Sequence, residues 1–321
     1  MGKVIGIDIS KQTFDVSWKE KEKNVSIVFS NNTEGFKSFF THLKEGDHCI
    51  MEASGTYYLK LAMYLHTRKI HVSVINPLVI KSYCRMKLSR TKTDKKDAQM
   101  ICAYAETEKP DYWQPDPDYI KEMNGILTTL DGFEKIATQI SNQMEAEAQL
   151  DIINKAAANA KKKILAGIEK EIAKLMEALL NLAEEHCPET LARLKTIPGI
   201  GPKTAIVLIA ITGNFEYFGD VRALGAYCGL CPRVYKSGTS VKGRGHIVKM
   251  GNGRIRKLLY LCTWSAQKSN PQCKELKERL VAKGKPIRVI KVAMANKLLR
   301  MAFGVVKSET DYDHKKGVKA A

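Results

Sequence analysis

Four carboxylates and one hydroxyl carry the chemistry this sequence could perform. Asp8 interrupts the apolar run Val4-Ile5-Gly6-Ile7-Asp8-Ile9 and is followed by Ser10-Lys11. A charge in such a run is costly to bury unless it is paired or meets a cation. Glu52 closes the short apolar stretch Cys49-Ile50-Met51. Asp94 and Asp97 stand three residues apart in Thr93-Asp94-Lys95-Lys96-Asp97-Ala98, a spacing that on a helix puts both carboxylates on one face, about a turn apart. All four are hard oxygen donors, suited to Mg²⁺ or Mn²⁺. Two such ions, about 3.5–4 Å apart, can clamp a scissile phosphate. The hydroxyl is Ser237, on the basic, glycine-flanked stretch Pro232-Arg233-Val234-Tyr235-Lys236-Ser237-Gly238-Thr239-Ser240. It can hydrogen-bond a phosphate or attack one. No His or carboxylate adjoins it, so attack would need a base or metal from another part of the protein.

The elements that must position these groups follow from the hydrophobic pattern. Residues 3–9, 13–18 and 25–29 read as strands, the last two alternating or β-branched with a charged turn between them. Helices over 33–43 and 57–68 alternate with short strands over 49–52 and 72–75, the second stopped by Asn76-Pro77. Helices follow over 77–86, with Pro in the first turn, and over 93–106, with Thr93 as N-cap. This order predicts an α/β domain over residues 1–110 with a ribonuclease-H-like architecture. In that arrangement the first strand is central, the Glu52 strand is its neighbour and the last helix packs across their ends. Asp8, Glu52, Asp94 and Asp97 then converge.

Residues 107–118 are rich in Pro and Asp and read as a linker. Beyond them, Leu130, Phe133, Ala137, Ile140 and Met144, then Ile164, Ile168, Ile172, Leu175, Leu179 and Leu182, repeat at 3-4 spacing. They predict two long helices separated by the polar, Ala-rich Ala156–Lys163. Residues 111–190 therefore form either an oligomerising coiled coil or an ordinary intramolecular bundle.

Residues 191–321 predict a mainly helical domain. The stretch Leu194–Leu208 is a helix, a tight Pro198-Gly199-Ile200-Gly201 turn and a second helix, similar to the helix-hairpin-helix element. Glycines there let backbone N–H groups meet a phosphate, with Lys203 beside them. From Val221 to Lys274 there is no Asp or Glu. Arg233, Lys236, Lys242, Arg244, Lys249, Arg254 and Arg256 crowd this stretch among glycines, a composition that can wrap a phosphodiester closely. Val281–Val306 reads as terminal helices broken at Gly284-Lys285-Pro286.

The bulk composition agrees. Lys and Arg number 52 against 34 acidic residues in 321, a net charge of +18, and the pI is near 9.4. That excess calls for a polyanionic partner, most simply nucleic acid. No apolar run is long enough to span a bilayer, no lipidation signal is present, and a cytoplasmic protein with reduced cysteines is expected. Cys228-Gly229-Leu230-Cys231 is the one CxxC, without a second pair at zinc spacing, and reads as core packing.

The motifs taken together carry a resemblance. Gly6-Ile7-Asp8, Met51-Glu52-Ala53-Ser54-Gly55-Thr56-Tyr57, Ile75-Asn76-Pro77 and Lys92-Thr93-Asp94-Lys95-Lys96-Asp97-Ala98 resemble the RuvC-like DEDD domain of the insertion sequence 110 family of transposases. So do Ile197-Pro198-Gly199-Ile200-Gly201-Pro202-Lys203, Tyr227–Pro232, Ser237–Gly243 and Lys249-Met250-Gly251-Asn252, and the resemblance covers nearly the whole chain in order. It implies that Asp8, Glu52, Asp94 and Asp97 form the metal site, for two Mg²⁺ or Mn²⁺ ions. It implies that the C-terminal transposase domain supplies a serine nucleophile at Ser237, with Ser240 as the nearby competitor. It also implies a recombinase acting on double-stranded donor and target DNA and guided by a structured RNA. A dimer, or a tetramer on DNA, is expected, in a bacterial or archaeal cell near the nucleoid. Three rivals stand beside it: a metal-dependent junction nuclease using water, a binding protein with a decayed site, and a sugar-kinase or actin-like ATPase. The last is opposed by the basic charge and by the missing second phosphate-binding domain. No GxxxxGK[ST] is present.

Overall fold

The computed structural model describes residues 2–21, 23–88, 93–233, 236–237, 241–242, 246–248 and 250–315; at 233, 236, 237, 241, 242 and 246 it describes the backbone alone. The chain forms two compact units, Met1–Pro115 and Asp116–Ala321.

The first unit is built on five strands: β1 (Val4–Ile9), β2 (Thr13–Glu20), β3 (Lys23–Ser30), β4 (His48–Glu52) and β5 (His71–Ile75). Their order in the sheet is β3-β2-β1-β4-β5. The first three form an antiparallel meander, while β4 runs parallel to β1 and β5 parallel to β4. Helices α1 (Thr33–Phe40), α2 (Leu59–His66), α3 (Pro77–Met86) and α4 (Asp94–Glu108) complete the unit. This mixed sheet with its helices fits the ribonuclease-H-like fold that the strand order predicted.

Both faces of the sheet are covered, which is why β1 is apolar throughout rather than alternating. Ile5, Ile7 and Ile9 join Phe14, Val16, Phe36, Phe39 and Leu61 in one core. Ile50, Ile75, Ile80, Ile101 and Ala105 form a second, under α3 and α4. Side chains alternate along a strand, so Gly6 and Asp8 face the second side. A Cβ at Gly6 would run into the Ala98 carbonyl and the Cys102 amide. The missing side chain is what lets α4 lie against β1. Gly6→Ala is expected to cost about 1–3 kcal/mol, the usual range for overpacking, and to displace α4 from β1. Denaturant unfolding gives the first effect, and a weakened response to added Mn²⁺ gives the second.

The second unit is helical. Two long helices, α5 (Asp118–Glu147) and α6 (Lys155–His186), precede α7 (Pro188–Lys195), α8 (Pro202–Thr212), α9 (Val221–Tyr227), α10 (Gly253–Ser269), α11 (Pro271–Ala282) and α12 (Ile287–Lys307). The expected break at Ala156–Lys163 is corrected: this segment lies inside α6. Alanine is the strongest helix former and lysine among the better ones, and Asn154, just upstream, caps the helix by accepting from the Ala157 N–H at 3.1 Å. At the base of the pair, Ile120, Met123, Leu127, Leu130, Leu179 and Ala183 share one core with α7, α8, α10 and α12. Farther out neither long helix buries a residue.

Between α9 and α10 the described residues include four two-residue strands: β6 (Pro232–Arg233), β7 (Lys236–Ser237), β8 (Val241–Lys242) and β9 (His246–Ile247). β6 pairs with β9 and β7 with β8, both antiparallel. Their base is tied down by backbone groups. The Val248 N–H donates to the Cys231 carbonyl at 3.0 Å and the Asn252 N–H to the Tyr227 carbonyl at 2.7 Å. Gly229 and Gly251 make this closure possible, since both hold a left-handed φ, +66° and +117°, against neighbouring backbone.

Candidate metal centre and nucleic-acid interface

The register of the sheet brings two of the acids together. Ile7 stands opposite Met51 across the parallel β1–β4 pair, so Asp8 and Glu52 are the next residues along adjacent strands. Each shares its strand's face with a residue on the α4 side, Gly6 and Ile50 respectively. Helix α4 begins with the other two. Thr93 caps it, its hydroxyl accepting from the Lys96 N–H at 3.2 Å, and Asp94 and Asp97 fall in its first turn. Carboxylates there are favoured by the partial positive charge of a helix N-terminus.

The electrostatics couple the other three acids to Asp8. The Asp8 carboxyl is pushed up to about 6, first by burial, then by the fields of Asp97, Asp94, Glu52 and Asp15. Two features here were not read from the sequence. Asp15 pairs directly across from Asp8 on β2, and burial and the field of Asp94 raise its carboxyl as well. The alternation in Thr13-Phe14-Asp15-Val16 was the available signal. Ser54, within the quoted motif, donates its hydroxyl to Glu52 Oε1 at 3.0 Å and so orients that carboxylate.

Among the described residues, no three acidic, His or Cys side chains stand close enough to hold one ion as they are. They reach one another's fields instead. An all-oxygen donor set whose central member is driven toward its protonated form is one that a divalent cation would relieve, so these residues fit such an ion.

The basic half of the reading divides. Ser237 lies in β7, opposite Val241 of β8, at the start of a hairpin. Its side chain, those of Arg233, Lys236 and Lys242, and the residues Ser240, Arg244 and Lys249 lie outside what the structure describes. In the helix-hairpin-helix-like turn, Gly199 takes φ +103°, and a Cβ there would meet Ala266 of α10 at 2.6 Å. This glycine therefore permits close helix packing. Gly201 has open space beside it. Lys203 is ion-paired with Glu134 of α5. Arg254 grips Asp131, with Nε 2.9 Å from Oδ2, and donates to the Leu127 carbonyl at 2.8 Å. Arg256 donates to the Cys228 carbonyl at 3.0 Å. Each of these three cations is engaged by a partner within the second unit. Cys228 is buried and its thiol is pushed up to about 12 by that burial, as expected of a core residue.

A sheet that fits the ribonuclease-H-like fold, with Glu52, Asp94 and Asp97 within electrostatic reach of Asp8, is compatible with a metal-dependent enzyme acting on phosphodiesters. Comparison with known proteins narrows the class. A DEDD transposase model of IS110 elements matches residues 5–154, and the model described as the transposase IS116/IS110/IS902 family matches residues 191–278. A pilin gene-inverting protein of Moraxella bovis is 29% identical over 96% of this chain and 97% of its own length. The transposase for insertion sequence element IS1328 of Yersinia enterocolitica is 26% identical over the same shares, 96% and 97%. The chain belongs to the IS110 family of transposases, enzymes that cut and recombine DNA. Among the described residues no helix is long and apolar enough to cross a membrane.

Proposed function

We propose that this transposase cuts DNA through a covalent link to Ser237, within a site completed by Asp8, Glu52, Asp94 and Asp97. The convergence of the four acids on the α4 side of β1 and β4 carries this reading. Two Mg²⁺ or Mn²⁺ ions bound there would stabilise charge developing on the phosphate. Ser237 Oγ gives up its proton and bonds to phosphorus. The bond to the 3′ oxygen breaks, and that oxygen takes up a proton. The products are a 5′-phosphoserine and a free 3′-OH. After partners exchange, a 3′-OH attacks the phosphoserine and returns the serine, so the strand is resealed with no external energy source. Ser237 meets the acids of its own chain or of a neighbouring one.

The functional division proposed is a metal-binding domain over residues 1–110, a linker and helical arm over 111–190, and a transposase domain over 191–321. The choice of DNA site is assigned to pairing with a structured guide RNA, and the protein to the nucleoid of the bacterial or archaeal cytoplasm. The abundance of cations supports a backbone-binding role. Trapping decides the chemistry: DNA carrying a nicked target strand should leave the protein covalently attached, whereas a water-using junction nuclease leaves no adduct.

Oligomerisation through the helical arm is the second part of the proposal. Ile164, the first member of the second apolar repeat, is 55% exposed on α6, and Ile136, beside the first repeat, is 45% exposed on α5. A partner chain is the simplest cover for such a stripe. Ile136→Lys combined with Ile164→Lys should shift the sedimentation coefficient to that of a monomer and leave the thermal transition in place. Unchanged sedimentation would remove the arm from the assembly.

A further inference from the structure

Helix α10 presents one face that the proposed chemistry does not use. Lys257, Leu261, Trp264 and Lys268 recur at four-, three- and four-residue spacing, and all are exposed. At 100° per residue they fall within a narrow stripe. Trp264 is 56% exposed and Leu261 50%, an unusual position for two large apolar side chains on a helix without acidic residues.

Beneath the indole lies Lys291 of α12. It is only 6% exposed, and its Nζ sits 2.8 Å from the centre of the Trp264 ring and 5.7 Å from that of Tyr260. No ion pair among the described residues includes it. One face of the indole is therefore capped by a cation and the ring plane is fixed, while the opposite face looks outward. The helical rise sets Lys257 about 10 Å to one side of Trp264 and Lys268 about 6 Å to the other. A flat aromatic surface with a positive charge behind it and lysines on both sides suits a base together with its flanking phosphates.

We propose that the outer face of Trp264 is a stacking platform for an unpaired base of the DNA strand opened during cutting and exchange, with Lys257 and Lys268 holding its phosphates. Duplex DNA hides its base faces, and strand exchange exposes them, so single-stranded DNA is the occupant. This rests on the family's action on DNA and is independent of the role given to Ser237 and of a guide RNA.

The test measures anisotropy of three labelled probes of one sequence: single-stranded DNA, blunt duplex DNA and single-stranded RNA. Trp264→Ala should weaken single-stranded DNA binding roughly 5- to 150-fold, the range for loss of one stacked base, and leave the duplex within about twofold. Trp264→Phe should keep most of the affinity. Lys257→Ala and Lys268→Ala should each flatten the salt dependence on single strands by about 0.7. An equal loss on duplex and single strand, or no loss, overturns the proposal. A loss confined to RNA overturns its assignment to DNA. If the alanine variant does not fold, quenching of tryptophan emission by single-stranded DNA decides. The quench should vanish in Trp264→Phe, and its persistence there would count against the platform.

Discussion

Asp8→Asn abolishes metal-dependent DNA cleavage and, without metal near neutral pH, makes the protein more stable. Loss of an outer-sphere partner of a metal site typically costs 10–100-fold in affinity or activity, and loss of a ligand at the centre of four acids should exceed about a hundredfold. The stability gain follows from the sign of the Asp8 shift. Its carboxyl is raised from 3.8 to about 6 in the folded state, so ionisation opposes folding. That penalty is absent below about pH 4 and grows as the pH rises through 6, where the wild type carries it in full. Asparagine keeps the shape and removes the charge, so the variant should gain about 1–2 kcal/mol after allowance for solvent screening. The two proteins should converge in stability at acid pH. Added Mn²⁺ should raise the wild-type melting temperature and leave the variant nearly unmoved. Below pH 6 the apparent Mn²⁺ affinity of the wild type should fall about tenfold per pH unit, because proton and metal compete for one group. A less stable variant, or one that still cleaves, would remove Asp8 from the site.

Ser237→Ala eliminates the covalent protein–DNA adduct, with at least a thousandfold loss expected on the scale of removing a catalytic nucleophile (about 10⁶ where measured). Metal-induced stabilisation and DNA binding should remain, because alanine deletes one hydroxyl from a backbone pairing that does not depend on it. The Ser237 and Val241 backbones stay paired across β7 and β8. Ser240→Ala is the matched control and should retain the adduct. If the adduct persists in Ser237→Ala and disappears in Ser240→Ala, the nucleophile is Ser240. If neither change affects cleavage and no adduct forms, water is the nucleophile. Labelled DNA and denaturing gel electrophoresis distinguish the three outcomes.

Much of the first unit was legible because short-range rules govern it. Apolar runs, alternation and turn residues placed β1 to β5, and Asn76 and Thr93 start their helices as their side chains dictate, with hydrogen bonds of 2.9 and 3.2 Å. The pairing of Asp8 with Asp15 was missed because it needs the register of a hairpin, a property of two strands together. In the second unit the cations were legible as charge, and their partners were not. Lys203 meets Glu134 across 69 residues, and Arg254 meets Asp131 across 123. Nothing local distinguishes a lysine destined for a carboxylate from one left for a phosphate. The helical break was misplaced for another reason: an Ala- and Lys-rich stretch lacks the apolar period yet has high intrinsic helix propensity.

The closure below the serine-bearing hairpin has its own consequence. It is made at the carbonyls of Tyr227, Cys228 and Cys231, met by Asn252, Arg256 and Val248. Two of those three bonds are between main-chain atoms. A substitution at Tyr227, Cys231, Val248 or Asn252 that keeps the backbone path therefore leaves both main-chain bonds in place, so this closure depends on chain geometry more than on side-chain identity.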